Sequence, residues 1–364
     1  MPKSALSHEH PPLLPLSIYF NYYSYSYSII YAFLINHFRI LTVRISPNNK
    51  ESLTTCMAII LTNCTSRKRA SKCQALSLDS IPPGKLDDVA VQWKNLLMHS
   101  KGERAAVDIY CGRSFREAER CSLHLNAPFY VVSAGLGIIK STTSIPLYNL
   151  TVAPGTSASI SDKVPAGYSI EKWWSVITDN NPYGTTLLEI IEKHPQDLFL
   201  LSLSRPYINL IYSELESLPE CVHPRLRFFG KNTIDALPLN LRGNWMPYDD
   251  RLENAGKGFS GTQSDFAQRA LKHFVHQILL EYPNATAKEH GILISIALSK
   301  IGSSEKDKMK GIKLNDNEIR ILIQKHWEIN KFSSTALLGY FRNTLGIACE
   351  QSRFHNIYRS IQQS

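Results

Sequence analysis

The chain has 364 residues, room for two domains of ordinary size and an extra segment. Hydrophobic residues make up 43% and charged residues 20%, a globular mixture that excludes a fibrous or disordered chain. Lys and Arg number 40 against 31 acidic residues, a net charge of +9 that favours a polyanionic partner. Seven Cys without a C-x-x-C pair exclude a disulfide scaffold and a standard zinc ribbon, so a reducing cytoplasm is the expected location.

Residues 1–56 read as a non-globular extension. Glu9 and Glu51 bracket a stretch with no acidic residue, and six of the 17 tyrosines (Tyr19, Tyr22, Tyr23, Tyr25, Tyr27, Tyr31) fall inside it. Its longest apolar run, Ile29–Ile35, is far short of the roughly 20 residues a membrane helix needs. The pattern of a signal peptide is missing. We read the segment as translated upstream DNA, with an interfacial anchor as the competing idea, and expect no membrane partner.

From Met57 onward, short apolar runs alternate with helix-like stretches, which predicts an α/β domain over residues 57–301 with a mostly parallel central sheet flanked by helices. The expected strands are Ala58–Leu61, Phe129–Val132, Leu198–Leu201 and Leu226–Phe229. Each is followed by Ser, Thr, Gly, Arg or Lys, and ligands gather beyond the carboxyl ends of such strands. Expected helices are Ser114–Leu125, Tyr207–Leu218, one capped by Ser264 or Asp265 with Phe266, Ala270, Phe274 and Ile278 on its inner face, and Ile292–Ile301. Gly302–Lys308 reads as a linker.

Four constellations could carry chemistry. Thr65, Ser66, Arg67 and Lys68 put hydroxyls, amides and two cations at a strand end, suited to a phosphate or to an ordinary basic loop. No Walker pattern is present, so nucleotide hydrolysis is not expected. Ser133-Ala134-Gly135-Leu136-Gly137 lacks both the dinucleotide spacing and the G-x-S-x-G elbow; glycine there allows close backbone approach. Asp108, Tyr110 and Arg113 precede a helix and read equally as a capping turn with Arg–Glu pairs behind it. Tyr148 could stack on a base while Asn149 orients a water, or Tyr148 could simply close the core. Ser204 and Arg205 offer further phosphate or sugar contacts. His273 and His276 lie three apart without a third partner, so neither a metal nor another cofactor is expected.

Residues 302–364 hold 10 basic and 6 acidic residues, against 26 and 23 over residues 57–301. Three short helices are expected there: one capped by Asn315 or Asp316, one by Ser333-Ser334, and a third carrying Phe354, Ile357, Tyr358 and Ile361. With Arg342, Arg353 and Arg359 facing outward, they fit a small all-α helix-turn-helix-like nucleic-acid module, or a helical cap. Nothing in the sequence sets an oligomeric state.

The ordered set Asn63–Lys68, Tyr110–Phe115, Val132–Gly137 and Tyr148–Thr151 resembles a broad bacterial family related to the archaeosine synthase core domain and the peroxide-stress proteins, similar in fold to uracil-DNA glycosylases. The resemblance spans residues 57–235, and with the basic tail the whole resembles antiphage DNA glycosylases. It implies a hydrolase that removes a modified base, such as a glucosylated hydroxymethylcytosine, from phage DNA and leaves an abasic site. Asn149 or Asp108 would position the water, although the wider family often carries Asp where this chain has Asn149. Tyr110, Tyr148, Ser133 and Gly135 would hold the base, and Thr65–Lys68, Arg113, Ser204, Arg205, Arg342 and Arg353 the DNA. A base-exchanging enzyme of the deazaguanine type and a non-catalytic DNA-binding regulator are the alternatives.

Overall fold

The computed structural model describes residues 58–69, 75–164, 167–301, 312–327 and 333–362. The expectations for residues 1–56 and for the linker at 302–308 lie outside the described residues.

Five strands form the central sheet: β1 (Ala58–Asn63), β2 (Phe129–Ser133), β3 (Gly137–Lys140), β4 (Leu198–Ser202) and β5 (Leu226–Phe229), in the order β3-β2-β1-β4-β5. β2, β1, β4 and β5 are parallel, and β3 returns antiparallel to β2. A parallel sheet covered on both faces needs near-continuous apolar strands, and Ile59, Ile60, Leu61, Val131, Val132, Leu200 and Leu201 are fully buried. The chain lays β2 on one side of β1 and β4 on the other. That reversal makes the carboxyl ends of β1 and β4 the switch point, where open α/β sheets leave a crevice.

The strands run past the apolar stretches seen in the sequence, β1 through Thr62 and Asn63, β2 through Ser133 and β4 through Ser202. Neighbouring strands satisfy these polar ends: Ser202 Oγ donates to Leu61 O at 3.1 Å and Thr62 Oγ1 to Ser202 O at 3.4 Å.

The helices that matter here are α1 (Leu86–Met98), α2 (Arg113–Leu125), α3 (Ile170–Thr178), α4 (Arg205–Leu210), α5 (Phe266–Phe274) and α6 (Ala287–Ile301). α2 and α5 pack on each other and against the sheet, whereas α3 packs with α1 and α4. α2 turns Phe115, Ala118 and Cys121 inward, pairs Arg116 with Glu119 and Arg120 with Glu117, and ends at Asn126 in the left-handed region. The helix expected over 207–218 is two, α4 and Tyr212–Glu216, parted at Ile211. At Ile211 the backbone leaves helical geometry (φ −101°, ψ 18°), which ends α4 there. Asp265 stands at the N-cap of α5, as expected, but makes no capping hydrogen bond there; its carboxylate instead accepts from Thr262 N at 2.8 Å in a capping box over the short 3₁₀ turn before the helix. Phe266, Ala270, Phe274 and Ile278 are all buried, as their spacing requires.

Residues 312–362 have a hydrophobic core of their own. α7 (Asp316–Lys325) is capped by Asn315 in a capping box with Glu318, α8 (Ser334–Asn343) is capped by Ser333, and α9 (Gln351–Gln362) follows. Ile319, Ile323, Leu337, Phe341, Phe354 and Ile357 are buried between them. A two-residue parallel ladder, Ile312–Lys313 with Ile347–Ala348, was not foreseen. Among the described residues no helix is long and apolar enough to cross a membrane.

Two buried histidines set an acid limit on this fold. His273 is 4% exposed and lies 3.0 Å from Tyr248 Oη through Nδ1. His290, fully buried, accepts from Arg227 Nε at 2.9 Å on Nδ1, which leaves Nε2–H to donate to Tyr282 O at 2.9 Å. Burial lowers each imidazole from 6.5 to about 4. The unfolded chain therefore binds protons between those values that the folded chain refuses. Stability falls as pH drops through that window, by up to roughly 3 kcal/mol per histidine, and levels off below it. Urea denaturation at pH 7.5 and pH 5 should show the loss; equal stabilities would exclude neutral burial of both rings.

Candidate functional site

Past Asn63 the chain crosses in front of Tyr110. Lys68 pairs with Tyr110 in an antiparallel bridge, Cys111 N donates to Arg67 O at 3.2 Å, and Thr65 Oγ1 lies 2.9 Å from Cys111 O. These backbone ties hold the segment Cys64–Lys68 against the loop before α2.

Behind it lies a buried chain of hydroxyls. Ser133 Oγ is 2.6 Å from Tyr148 Oη, which is 2.7 Å from Tyr110 Oη. The amides of Gly135 and Leu136 donate to Ser133 Oγ at 3.3 and 3.2 Å, leaving the serine proton for Tyr148 and the tyrosine proton for Tyr110. Nearby, Cys64 Sγ is 3.1 Å from Tyr207 Oη. Burial pushes the Tyr110, Tyr148 and Tyr207 phenols above their ordinary value of 10, so all three remain protonated donors at neutral pH.

The turn after β2 is held from two sides: Trp93 Nε1 donates to Gly135 O and Trp173 Nε1 to Ala134 O, both at 2.8 Å. A Cβ on Gly135 would come within 3.2 Å of the Trp93 and Tyr148 rings, the close approach expected of that glycine. Tyr148 itself is placed by a short parallel ladder in which Leu76 pairs with Tyr148 and Ser77 with Asn149.

Lys68 seals this cluster. Its Nζ lies 4.2 Å from the Tyr148 ring centroid and 5.9 Å from that of Tyr110. Burial pulls its pKa below the ordinary 10.5, opposed by the nearby Cys64 and Cys111 thiols. Lys68 makes no ion pair among the described residues, whereas Lys94, Lys172, Lys231 and Lys272 pair with Asp179, Asp87, Asp250 and Glu117.

A second polar knot ties β1 to β4. Gln268 of α5, 1% exposed, donates from Nε2 to Thr62 Oγ1 at 3.0 Å and Ser202 O at 2.9 Å, and lies 3.4 Å from Asn63 Oδ1. Asn63 Oδ1 also accepts from Ser204 N at 3.3 Å. Gln268 Oε1 is buried without a hydrogen-bond partner. Sequence reasoning missed Gln268, Asn63, Trp93, Trp173 and Tyr207. Gln268 lies off the Phe266–Ala270–Phe274 face, and no local pattern marks it.

The structure thus unites Lys68, Tyr110, Ser133, Gly135 and Tyr148. With Tyr110 fully buried and Tyr148 2% exposed, neither ring presents an open stacking face. Asp108 and Asn149 are exposed on the segments carrying Tyr110 and Tyr148, and Asn149 turns away from the hydroxyl chain. Ser66 and Arg67 are exposed, and Ser204 precedes α4. Arg113 reaches Ser260 O at 2.5 Å and Asp265 at 3.4 Å, while Arg205 pairs with Asp235 at 2.6 Å. In the C-terminal core Arg342 donates to Cys349 O at 2.6 Å and Arg353 pairs with Asp316 at 2.6 Å. Each of these four guanidiniums has a partner within the chain.

A cleft of about 880 Å³ opens at the other end of the sheet, lined by Leu198, Arg225, Asn244 and Thr286, and contains none of the expected site residues. Among the described residues no three His, Cys, Asp or Glu side chains group to hold a metal ion. The chain is a mixed α/β protein with a mostly parallel five-stranded sheet. No family model matches it, and neither a curated protein nor a solved structure matches it.

Replacing Tyr148 by Phe keeps the ring and removes the shared hydroxyl, leaving buried Ser133 and Tyr110 each short of a partner. The expected loss of stability is about 1–3 kcal/mol by chemical denaturation. A Tyr148→Phe protein as stable as the parent would show that the hydroxyl chain contributes nothing.

Proposed function

We propose that the chain is a DNA N-glycosylase that removes a modified base and leaves an abasic site. The observation that carries this reading is the character of the cluster at the strand ends: the Lys68 ammonium and the Ser133, Tyr110 and Tyr148 hydroxyls gather with no ion-paired carboxylate on Lys68 among the described residues. Breaking an N-glycosidic bond sends negative charge onto the departing base. Preorganised donors stabilise such charge best in a water-poor site. Phenols whose protons are held by burial and a cation beside them suit that task.

Asn149 and Asp108, exposed on the segments that carry Tyr148 and Tyr110, are the groups we assign to positioning the attacking water. Exposed Ser66 and Arg67 lie on the adjoining segment, where a DNA phosphate would contact them. The uracil-DNA-glycosylase-like fold, phage DNA as substrate and the DNA-binding role of the basic C-terminal residues are supported by the motif resemblance and the +9 charge. Flipping the base into the site costs a few kcal/mol of unstacking, least for a base already weakly stacked.

The test is to incubate the purified protein with normal and hypermodified phage DNA and to count alkali-labile sites. Alkali-labile sites and a released free base are expected on modified DNA. Asn149→Ala is expected to slow base release on the order of 10²-fold, the usual effect of losing one positioned polar group, with Asp108→Ala measured alongside it. No alkali-labile site on any modified DNA, with both variants behaving like the parent, would overturn the reading. Incorporation of a labelled base into an intact duplex would indicate base exchange, and binding without either product a regulator.

A further inference from the structure

We propose that Lys68 is an amine nucleophile: resting on the glycosylase reading, it forms an imine with the C1′ aldehyde of the ring-opened abasic sugar that base removal leaves.

The first argument is the company Lys68 keeps. Four other lysines of the domain are ion-paired at 2.5 to 3.1 Å, which favours their charged form. Lys68 has no such partner among the described residues and is packed instead over the Tyr148 ring, beside Tyr110. A lysine held by an aromatic face rather than a carboxylate can lose its proton without breaking an ion pair. Desolvation acts in the same direction, favouring the neutral amine, and this is how lysines are activated for attack on carbonyl carbon.

The second argument is its position. Lys68 follows β1 at the switch point, tied to Tyr110 by the antiparallel bridge. The Ser133–Tyr148–Tyr110 chain of protonated hydroxyls lies against it, and Asn149 and Asp108 are exposed on the segments that hold those phenols. Lys68 itself is half-buried rather than fully enclosed.

The step balances without a cofactor. The Nζ lone pair attacks C1′, the carbonyl π pair moves to oxygen, and that oxygen takes a proton. Loss of water, with one nitrogen proton, gives the imine. Its electron withdrawal makes the C2′ hydrogen acidic; as that proton leaves, its electron pair forms C2′=C3′ and the C3′–O bond breaks, expelling the 3′ phosphate. Hydrolysis then returns the free amine.

The experiment offers the full-length protein a duplex carrying one preformed aldehydic abasic site, with sodium borohydride to reduce the imine to a stable secondary amine. A covalent protein–DNA adduct is expected, mapped by peptide mass spectrometry to Lys68. Its yield should rise with pH with a half-point below 10.5. It should be absent with a tetrahydrofuran analogue that has no aldehyde, and absent in Lys68→Arg, which keeps the positive charge but lacks the primary amine. No adduct, or an adduct mapped to another amine, overturns the proposal; if Lys68→Arg fails to fold, the mapping on the parent protein decides. The preformed site makes the outcome independent of base recognition. Alkali-labile sites on modified DNA without an adduct would leave the glycosylase reading standing and remove the role of Lys68. An adduct at Lys68 without base release on any modified DNA would do the reverse.

Discussion

The hydroxyl of Tyr148 lies between Ser133 Oγ at 2.6 Å and Tyr110 Oη at 2.7 Å, and three segments far apart in sequence meet at that atom. Ser133 ends a central strand, Tyr110 closes the loop before α2, and Tyr148 sits in a two-residue ladder with Leu76 and Ser77. A buried hydroxyl without a partner costs about 1–3 kcal/mol, so assembly of the three together is favoured. Lys68 packs over the Tyr148 ring, while Asn149 and Asp108 are exposed on the segments that carry the two phenols. The rest of the edge adapts to that point: two tryptophans clamp the Ser133–Leu136 turn, and Gly135 supplies the room.

The sheet was legible because a parallel strand buried on both faces has to be a short unbroken apolar run. Its ends were not. Thr62, Asn63, Ser133 and Ser202 look like turn residues, yet each belongs to its strand because a neighbouring strand or Gln268 satisfies it. Gln268 stands 206 residues from Thr62 in sequence, and no local pattern announces such a pairing. The break at Ile211 was hidden for a different reason: the apolar spacing of residues 207–218 carries no mark of the one residue whose backbone leaves helical geometry.

The motif residues divide in a way that spacing could not show. Tyr110, Ser133, Gly135 and Tyr148 converge, because each follows a strand end or borders one. Arg113 and Arg205 looked like phosphate clamps, but each lies within reach of a carboxylate or carbonyl that sequence distance concealed, Asp265 with Ser260 for one and Asp235 for the other. The same holds in the C-terminal core, where Arg353 meets Asp316 37 residues away. Net charge counts these guanidiniums in full. The field at the surface is reduced by their partners, so the 10 basic residues after residue 301 overstate what a polyanion would meet.

What separates Lys68 from these cations is therefore the environment. A guanidinium paired with a carboxylate keeps its charge at every accessible pH. An ammonium packed on a phenol ring has no counter-charge among the described residues to keep it protonated, and burial favours its neutral form. The phenols beneath it are pushed the other way and keep their protons. Within Lys68, Tyr110 and Tyr148, then, burial shifts the lysine toward losing its proton and the phenols toward keeping theirs. On the proposed glycosylase reading, loss of that proton would convert an electrostatic clamp for a departing base into a nucleophile for the aldehyde left behind, and one side chain would serve two successive steps without any change of fold.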